Sequence, residues 1–255
     1  MDLELRDKVV FVSGSSRGIG KGIVRAFLRE GARVAINGRD AGALTVARDE
    51  LAAFGTVVAV RADLRDEEAA TAALDATEAA LGPLDAVVAN VGSGRGTPGL
   101  SWEAGEVDRL LAQNLTGALA LSRVALARLT ARGAGSLTLI ASIAGMESIG
   151  APVGYSAAKA GLIAAAKAMA RAAGPSGVRV NAIAPGNILF PDGTWDAKRR
   201  ADPEGVRRML DTEVALKRFG TPEDVGDLAV FLASARAAFV TGATVVADGG
   251  QTRGF

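Results

Sequence analysis

Seven short apolar runs rich in valine and isoleucine recur along this chain, separated by longer stretches dominated by alanine, leucine and arginine. The alternation constrains the fold more than any single residue does. The runs are Val9–Val12, Val34–Ile36, Val57–Val60, Ala86–Ala89, Ser136–Ala141, Val178–Ile183 and Thr244–Ala247. Between them, helices are expected over Ile19–Glu30, Ala41–Ala53, Glu67–Leu81, Glu106–Ala131 and Tyr155–Ala173. Near-continuous apolar strands joined by helices belong in a parallel sheet buried on both faces. Gly31, Gly55, Gly82 and Gly177 fall near the expected helix ends. No linker, low-complexity tract or repeat divides the 255 residues. The expectation is therefore one doubly wound α/β domain, 1–255, on a seven-stranded parallel sheet with helices on both faces. Such sheets bind ligands at the carboxyl ends of their strands.

Several function classes are excluded by composition. The chain has no histidine and no cysteine. Disulfides and thiolate metal sites are impossible, only carboxylate-type metal sites remain, and no metal is expected. The net charge of +1, from 29 basic and 28 acidic residues, implies no nucleic-acid partner. Met1–Lys8 alternates charged and apolar residues and lacks the apolar core of a signal peptide. The apolar stretch Ala160–Ala173 is broken by Lys167 and Arg171, and is too short and too charged to cross a bilayer. A soluble cytoplasmic protein without a membrane partner is the expectation.

With histidine and cysteine gone, the remaining acid–base chemistry centres on the single tyrosine, in Tyr155-Ser156-Ala157-Ala158-Lys159. On a helix the phenol and the ammonium share a face one turn apart. A nearby cation favours the phenolate and lowers a pKa that is about 10 unperturbed. Such a phenol could donate a proton in a carbonyl reduction near neutral pH. The second signal is Ser13-Gly14-Ser15-Ser16-Arg17-Gly18-Ile19-Gly20, which follows the first strand and opens the first helix. Glycines permit the tight turn and let backbone amides approach a pyrophosphate, and the helix N-terminus beyond favours an anion. The spacing is Gly-x3-Gly-x-Gly, and an ordinary strand-to-helix turn is the alternative. Position at the first strand–helix junction favours dinucleotide binding.

The full set of motifs resembles the short-chain dehydrogenase/reductase family, in its single-domain branch of roughly 250 residues with a Rossmann-type fold. The resemblance covers nearly the whole chain. It rests on Gly14-x3-Gly18-x-Gly20, Asp63-Leu64, Asn90-Val91-Gly92, Asn114, Ser142, Tyr155-x3-Lys159, Pro185-Gly186 and Asp248-Gly249-Gly250. It implies that Tyr155 is the catalytic acid/base and that Lys159 holds the nicotinamide ribose hydroxyls. By the same resemblance Ser142 binds the substrate carbonyl oxygen, and Asn114 holds a water in the proton relay. The cofactor contacts it implies are Gly14, Ser16, Arg17, Gly18, Ile19, Gly20, Asn37, Arg39, Asp63 (to the adenine), Leu64, Asn90, Gly92, Tyr155, Lys159, Pro185, Gly186 and Ile188. Taken singly, Asn114 could cap or kink its helix, Ser142 could end a strand, and Lys159 could be a solvated helix lysine. Together with Tyr155 they can converge on one carbonyl.

Cofactor choice turns on the end of the second strand, Ile36-Asn37-Gly38-Arg39-Asp40. An acid there would bind a free ribose 2′-hydroxyl and repel a 2′-phosphate. In family register that position is Gly38, and Arg39 and Arg17 offer guanidiniums to a phosphate. Solvated loop arginines are the alternative. Asp40 reads as the N-cap of the next helix. The expected cofactor is NADPH/NADP rather than NAD.

The segment 187–216 lies where the family places its substrate loop and lid. Phe190 stands where many relatives have a threonine that fixes the cofactor, and Trp195 adds a second aromatic. Lys198-Arg199-Arg200 and Arg207-Arg208 could attract an anionic substrate such as an acyl-carrier-protein thioester. They could also be the solvated face of a short amphipathic helix, since Asp196, Asp202, Glu204 and Asp211 nearly balance them. The solvated face is the preferred reading. Arg218–Val225 resembles a stretch of 3-oxoacyl-[acyl-carrier-protein] reductases and of many sugar and alcohol dehydrogenases, with Thr221 as an N-cap before Pro222. The expected activity is NADPH-dependent reduction of a small ketone or 3-oxoacyl thioester, with oxidation of an alcohol, sugar alcohol or steroid as the alternative. A non-catalytic NADP-binding role is a third reading. The resemblance also implies a homotetramer, with the helices around Asn114–Ala131 and Tyr155–Ala173 in the dimer interface.

Overall fold

The computed structural model describes residues 2–254. Seven strands form one parallel sheet: β1 (Val9–Val12), β2 (Arg33–Gly38), β3 (Val57–Arg61), β4 (Ala86–Ala89), β5 (Gly135–Ile140), β6 (Val178–Pro185) and β7 (Thr244–Ala247). Their order is β3-β2-β1-β4-β5-β6-β7. The strand order therefore reverses between β1 and β4, where Val10 to Val12 pair with Ala86 to Val88. Loops leaving those two strands diverge and open a crevice, which is where a doubly wound sheet binds its ligand. All seven strands lie where the apolar runs predict them.

Each face of the sheet is covered by three helices. On one face, α1 (Gly18–Arg29), α2 (Ala41–Leu51) and α9 (Pro222–Ala233) bury Ile23, Phe27, Leu44, Leu51, Val225 and Val230. On the other, α3 (Glu67–Leu81), α5 (Gly117–Arg132) and α6 (Val153–Ala173) bury Leu74, Leu121, Leu129 and Leu162. Each such side chain removed from water contributes about 1.5–3 kcal/mol before entropy is counted. Phe11, in the interior strand β1, has no exposed surface. Asp40 does cap α2, accepting from Ala43 N at 2.7 Å. Thr221 and Asp224 form a reciprocal capping box on α9.

Two elements differ from expectation. The predicted 106–131 helix is divided into α4 (Glu106–Leu111), a π-turn at Ala112–Thr116, and α5. By length and apolarity the stretch Glu106–Arg132 could cross a bilayer. Here it packs on the sheet, with Leu110, Ala118, Leu121, Ala125 and Leu129 buried. The 187–216 segment is two helices, α7 (Thr194–Ala201) and α8 (Pro203–Glu213), rather than one. Asp202 ends the first and caps the second, accepting from Gly205 N at 2.8 Å.

Candidate active site

A cleft of about 800 Å³ runs along the carboxyl edge of the sheet. The glycine-rich turn walls one end, Ser142, Tyr155 and Lys159 line the middle, and the 187–216 segment covers the other side. A second hollow of about 270 Å³ lies between β3 and α3, lined by alanines, valines and Arg61, and contains no acid–base set.

The glycine turn is held by its neighbours' polar groups. Asn90 Nδ2 donates to the carbonyls of Ser13 (3.1 Å) and Gly14 (2.9 Å), and Ser13 Oγ accepts from Asn90 N at 2.8 Å. Gly14 and Gly18 have φ of +59° and +56°, a region glycine enters without strain. A Cβ on Gly20 would lie 2.5 Å from the Gly14 carbonyl oxygen. The first turn of α1 has no acidic residue and no side-chain cap, so its N–H groups are free to bind an anion. The close backbone, the free amides and the adjoining cleft fit a dinucleotide pyrophosphate.

The central group is buried. Asn114 is wholly enclosed: its Oδ1 accepts from Ser93 N at 2.9 Å, and its Nδ2 donates to Ser93 O at 3.1 Å and Leu110 O at 3.0 Å. The π-turn therefore presents Asn114 to the loop after β4 and breaks the expected continuous helix. With both amide donors committed, a relay water there would have to donate to Asn114. Lys159, 3% exposed, donates Nζ to Ile140 O at 2.8 Å and lies 5.6 Å from the Tyr155 ring centroid. A Cβ on Gly92 would meet Asn114 Oδ1 at 2.6 Å and Lys159 Nζ at 3.1 Å, so only glycine lets these groups close up. Ser142 Oγ accepts from Ala144 N at 3.1 Å, and its side chain lies against the phenol.

The electrostatics correct one expectation. Burial raises the Tyr155 pKa above its usual 10, and the Ser142 contact offsets this only in part. Burial also lowers Lys159 from 10.5 to about 8. Desolvation penalises both charged forms, and for the phenol it outweighs what favours the phenolate.

Eleven of the expected cofactor residues, from Gly14 and Arg17 through Ile188, line the cleft; six do not. Asn37 is 2% exposed, and its side chain is consumed within the protein. It donates to Val60 O at 3.0 Å and Ala62 O at 3.2 Å, tying β2 to β3. Leu64 is buried, with its carbonyl 2.4 Å from where a Gly117 Cβ would stand. Asp63 accepts from Arg65 Nε at 2.6 Å and faces Arg39 at 3.9 Å. Arg39 is therefore partly matched by an acid, whereas Arg17, in the cleft wall, forms no ion pair among the described residues. Ser16 and Pro185 also lie outside the wall, Pro185 pairing with Ala247 in the sheet.

Several lining residues carry no local sequence signal. Ser93, Gly94 and Arg95 follow β4, Met209 and Glu213 belong to α8, and Gln251 and Arg253 come from the chain's far end. Asp248 brings that end into place, accepting from Gly250 N, Thr252 N and Thr252 Oγ1 at 2.6–2.8 Å. Phe190 packs its ring on both Gly18 and Gly193, each of whose Cβ positions would be 2.8 Å from it. The segment therefore reaches the phosphate turn through an aromatic face rather than a hydroxyl.

The profile of the family described as Enoyl-(Acyl carrier protein) reductase matches residues 14–252. The chain is similar to 2-(S)-hydroxypropyl-CoM dehydrogenase 3 of Xanthobacter autotrophicus, 35% identical over 254 residues and covering 99% of each. It is also similar to L-rhamnose 1-dehydrogenase (NAD(P)(+)) of Azotobacter vinelandii, 37% identical over 253 residues, 96% of this chain and 97% of that one. Among solved structures, L-sorbose reductase from Gluconobacter frateurii, complexed with NADPH and L-sorbose, superposes with a TM-score of 0.91. That pair is 28% identical and covered in full on both sides.

Proposed function

This chain belongs to the short-chain dehydrogenase/reductase family, and we infer that it interconverts a small ketone and its secondary alcohol with NADP(H), reduction being the leading direction. The convergence of Tyr155, Ser142 and Lys159 in one cleft with the glycine turn carries this reading. A bound nicotinamide supplies or accepts the hydride. As negative charge grows on the carbonyl oxygen, Ser142 Oγ–H and Tyr155 Oη–H donate to it, and the phenol proton passes to the oxygen. Lys159 uses one donor on Ile140 and keeps two for the phenol and a ribose hydroxyl. The high Tyr155 pKa keeps the phenol protonated, as a proton donor requires.

The 2′-phosphate would sit near Arg17, with Arg39 as a second cation and no acid at Gly38 to repel it. The test of this half is the ratio of Kd values for NADPH and NADH, with Arg17→Ala expected to weaken NADPH alone. The oxidative direction is favoured by relatives named as dehydrogenases, and the same residues run it in reverse. The observations favour a small ketone over a carrier-protein thioester. Arg199 and Arg200 both pair with Asp196, and Arg207 and Arg208 reach Asp211 and Glu204 at 4.0 Å. Little of that helix charge is left to dock an acidic protein. The deciding experiment is NADPH oxidation against a carbonyl panel of β-ketoacyl thioesters, β-keto esters, sugars, quinones and cyclic ketones, with Tyr155→Phe beside wild type. Turnover of one class, lost in the variant, supports the reading. Turnover of a class that survives in Tyr155→Phe overturns the assigned role.

A further inference from the structure

The charges that line the cleft are not equally matched. Arg253 pairs with Glu213 at 3.2 Å. Glu147 accepts the backbone N–H groups of Arg253 (2.7 Å) and Gly254. Asp192 faces Arg200 at 3.5 Å. Besides Arg17 at the glycine turn and Lys159 at the centre, two cleft cations, Arg95 and Lys198, have no carboxylate partner among the described residues. The Arg95 guanidinium donates only a long bond, 3.4 Å, to the carbonyl of Asp192. Lys198 lies over the Trp195 ring at 4.5 Å. The contrast with Arg199 and Arg200, both turned to Asp196, isolates Lys198 as the member of the basic run that faces the cleft.

Both cations share the cleft with the reacting groups. Gly94, next to Arg95, has its Cβ position 3.7 Å from the carbon bearing the Tyr155 hydroxyl. Arg95 reaches across to Asp192 in the turn that leads into α7, and Lys198 lies one helical turn beyond Trp195 in that helix. An unpaired guanidinium and an unpaired ammonium at the edge of one cleft attract a negative charge and bind it with charge-assisted hydrogen bonds.

We propose that the substrate carries an anionic group, a carboxylate, sulfonate or phosphate, at the end remote from its reacting carbon, and that Arg95 and Lys198 bind it. The inference rests on the oxidoreductase reading above. The glycine turn, Gly14 to Gly20, touches the same segment through Phe190 on Gly18, so the NADPH Kd is measured beside every anion.

Two measurements test it, and one needs no turnover. Trp195 reports directly on Lys198, and Trp102→Phe removes the only other tryptophan. In that background, with and without NADP, pentanoate, pentane-1-sulfonate and pentyl phosphate are titrated beside 1-pentanol. The expected result is a saturable Trp195 fluorescence change for the anions only. Its Kd should rise about 10- to 100-fold in Arg95→Gln and in Lys198→Met, the size of a lost charge-assisted bond, and less in Arg95→Lys. Equal response to 1-pentanol, or unchanged Kd in both variants, overturns the proposal. The second measurement compares kcat/KM for 4-oxopentanoate and 5-oxohexanoate with their methyl esters. The acids should win through KM, and the preference should collapse in the variants while the NADPH Kd stays fixed. Variants that raise the NADPH Kd and leave the acid-to-ester ratio intact would put these cations on the cofactor and overturn the proposal. If every ketone is inert while the anions still bind, the oxidoreductase reading fails and the anion site stands.

Discussion

A methyl group added at Gly20 would land 2.5 Å from a backbone oxygen, whereas one added at Gly150, also in the cleft wall, meets nothing within 4 Å. The two ends of the cleft are built on different principles. At the glycine turn, backbone packs on backbone, and buried Ser13 and Asn37 with half-buried Asn90 fasten it with side-chain bonds. Across the cleft, α7 and α8 are held by side chains: the Trp195–Phe219 contact at 5.5 Å, Phe190 on Gly18, and the ion pairs of Asp196. Close-packed backbone tolerates almost no change, while ion pairs whose arginines are exposed contribute little each and can be exchanged. The glycine turn is therefore intolerant of change, whereas the side chains that hold α7 and α8 can be exchanged without disturbing the sheet.

The largest effect should come from the shared centre. Tyr155→Phe is expected to lower kcat by about 10²–10⁴ with the NADPH Kd unchanged, since only the proton donor is lost. A matching loss of cofactor affinity would show that the ring and not the hydroxyl matters. Next comes the rigid end. Gly20→Ala should cost about 1–3 kcal/mol in urea unfolding and weaken NADPH binding, because the clash is with main chain. An unshifted midpoint would mean that the turn gives way and is not rigid.

The third effect depends on pH. Lys159 holds its proton less tightly folded, near 8, than unfolded, near 10.5. Between those values the unfolded chain binds more protons, so this group makes stability rise with pH from about 8 to 10.5, by at most about 1.4 kcal/mol per unit. Below 8 its cost is constant. Urea midpoints across that range should rise in wild type and rise less in Lys159→Met, and parallel curves would refute the burial effect. The smallest effect belongs to the variable end. Asp196→Asn should loosen α7 and raise substrate KM a few-fold with kcat nearly unchanged. The carboxyl is held below its ordinary range by the Asp192 N–H and then by Arg200 and Arg199, so the wild-type pairing persists through mildly acidic pH. A loss of stability in urea equal to that of Gly20→Ala would erase the distinction between the two ends.

The strands, the glycine turn and the tyrosine–lysine pair were legible because each is written in neighbouring residues. Apolar runs, a three-glycine spacing and an i, i+4 pair all act over one or two turns. The π-turn was not legible, because Asn114 leaves the regular ladder to satisfy Ser93, a partner 21 residues away. Asn37 misled for a similar reason: its position suggested a ligand, but its donors serve β3. The preferred solvated reading of the basic run held for Arg199 and Arg200, whose acids lie three and four residues back on the same helix.

Sequence alone determined the sheet, its parallel order, the site of the glycine turn and the residue types available for proton transfer. Local periodicity and glycine's freedom at positive φ are short-range effects, and a chain without histidine or cysteine leaves few alternatives. Tertiary structure decided which charges remain unpaired and which pKa values move. Burial turned the expected lowering of the Tyr155 pKa into a rise. Distant partners neutralised Arg253 but left Arg95 and Lys198 without a carboxylate. Desolvation and charge pairing depend on what surrounds a group in space, and that is fixed only when segments far apart in the chain are brought together.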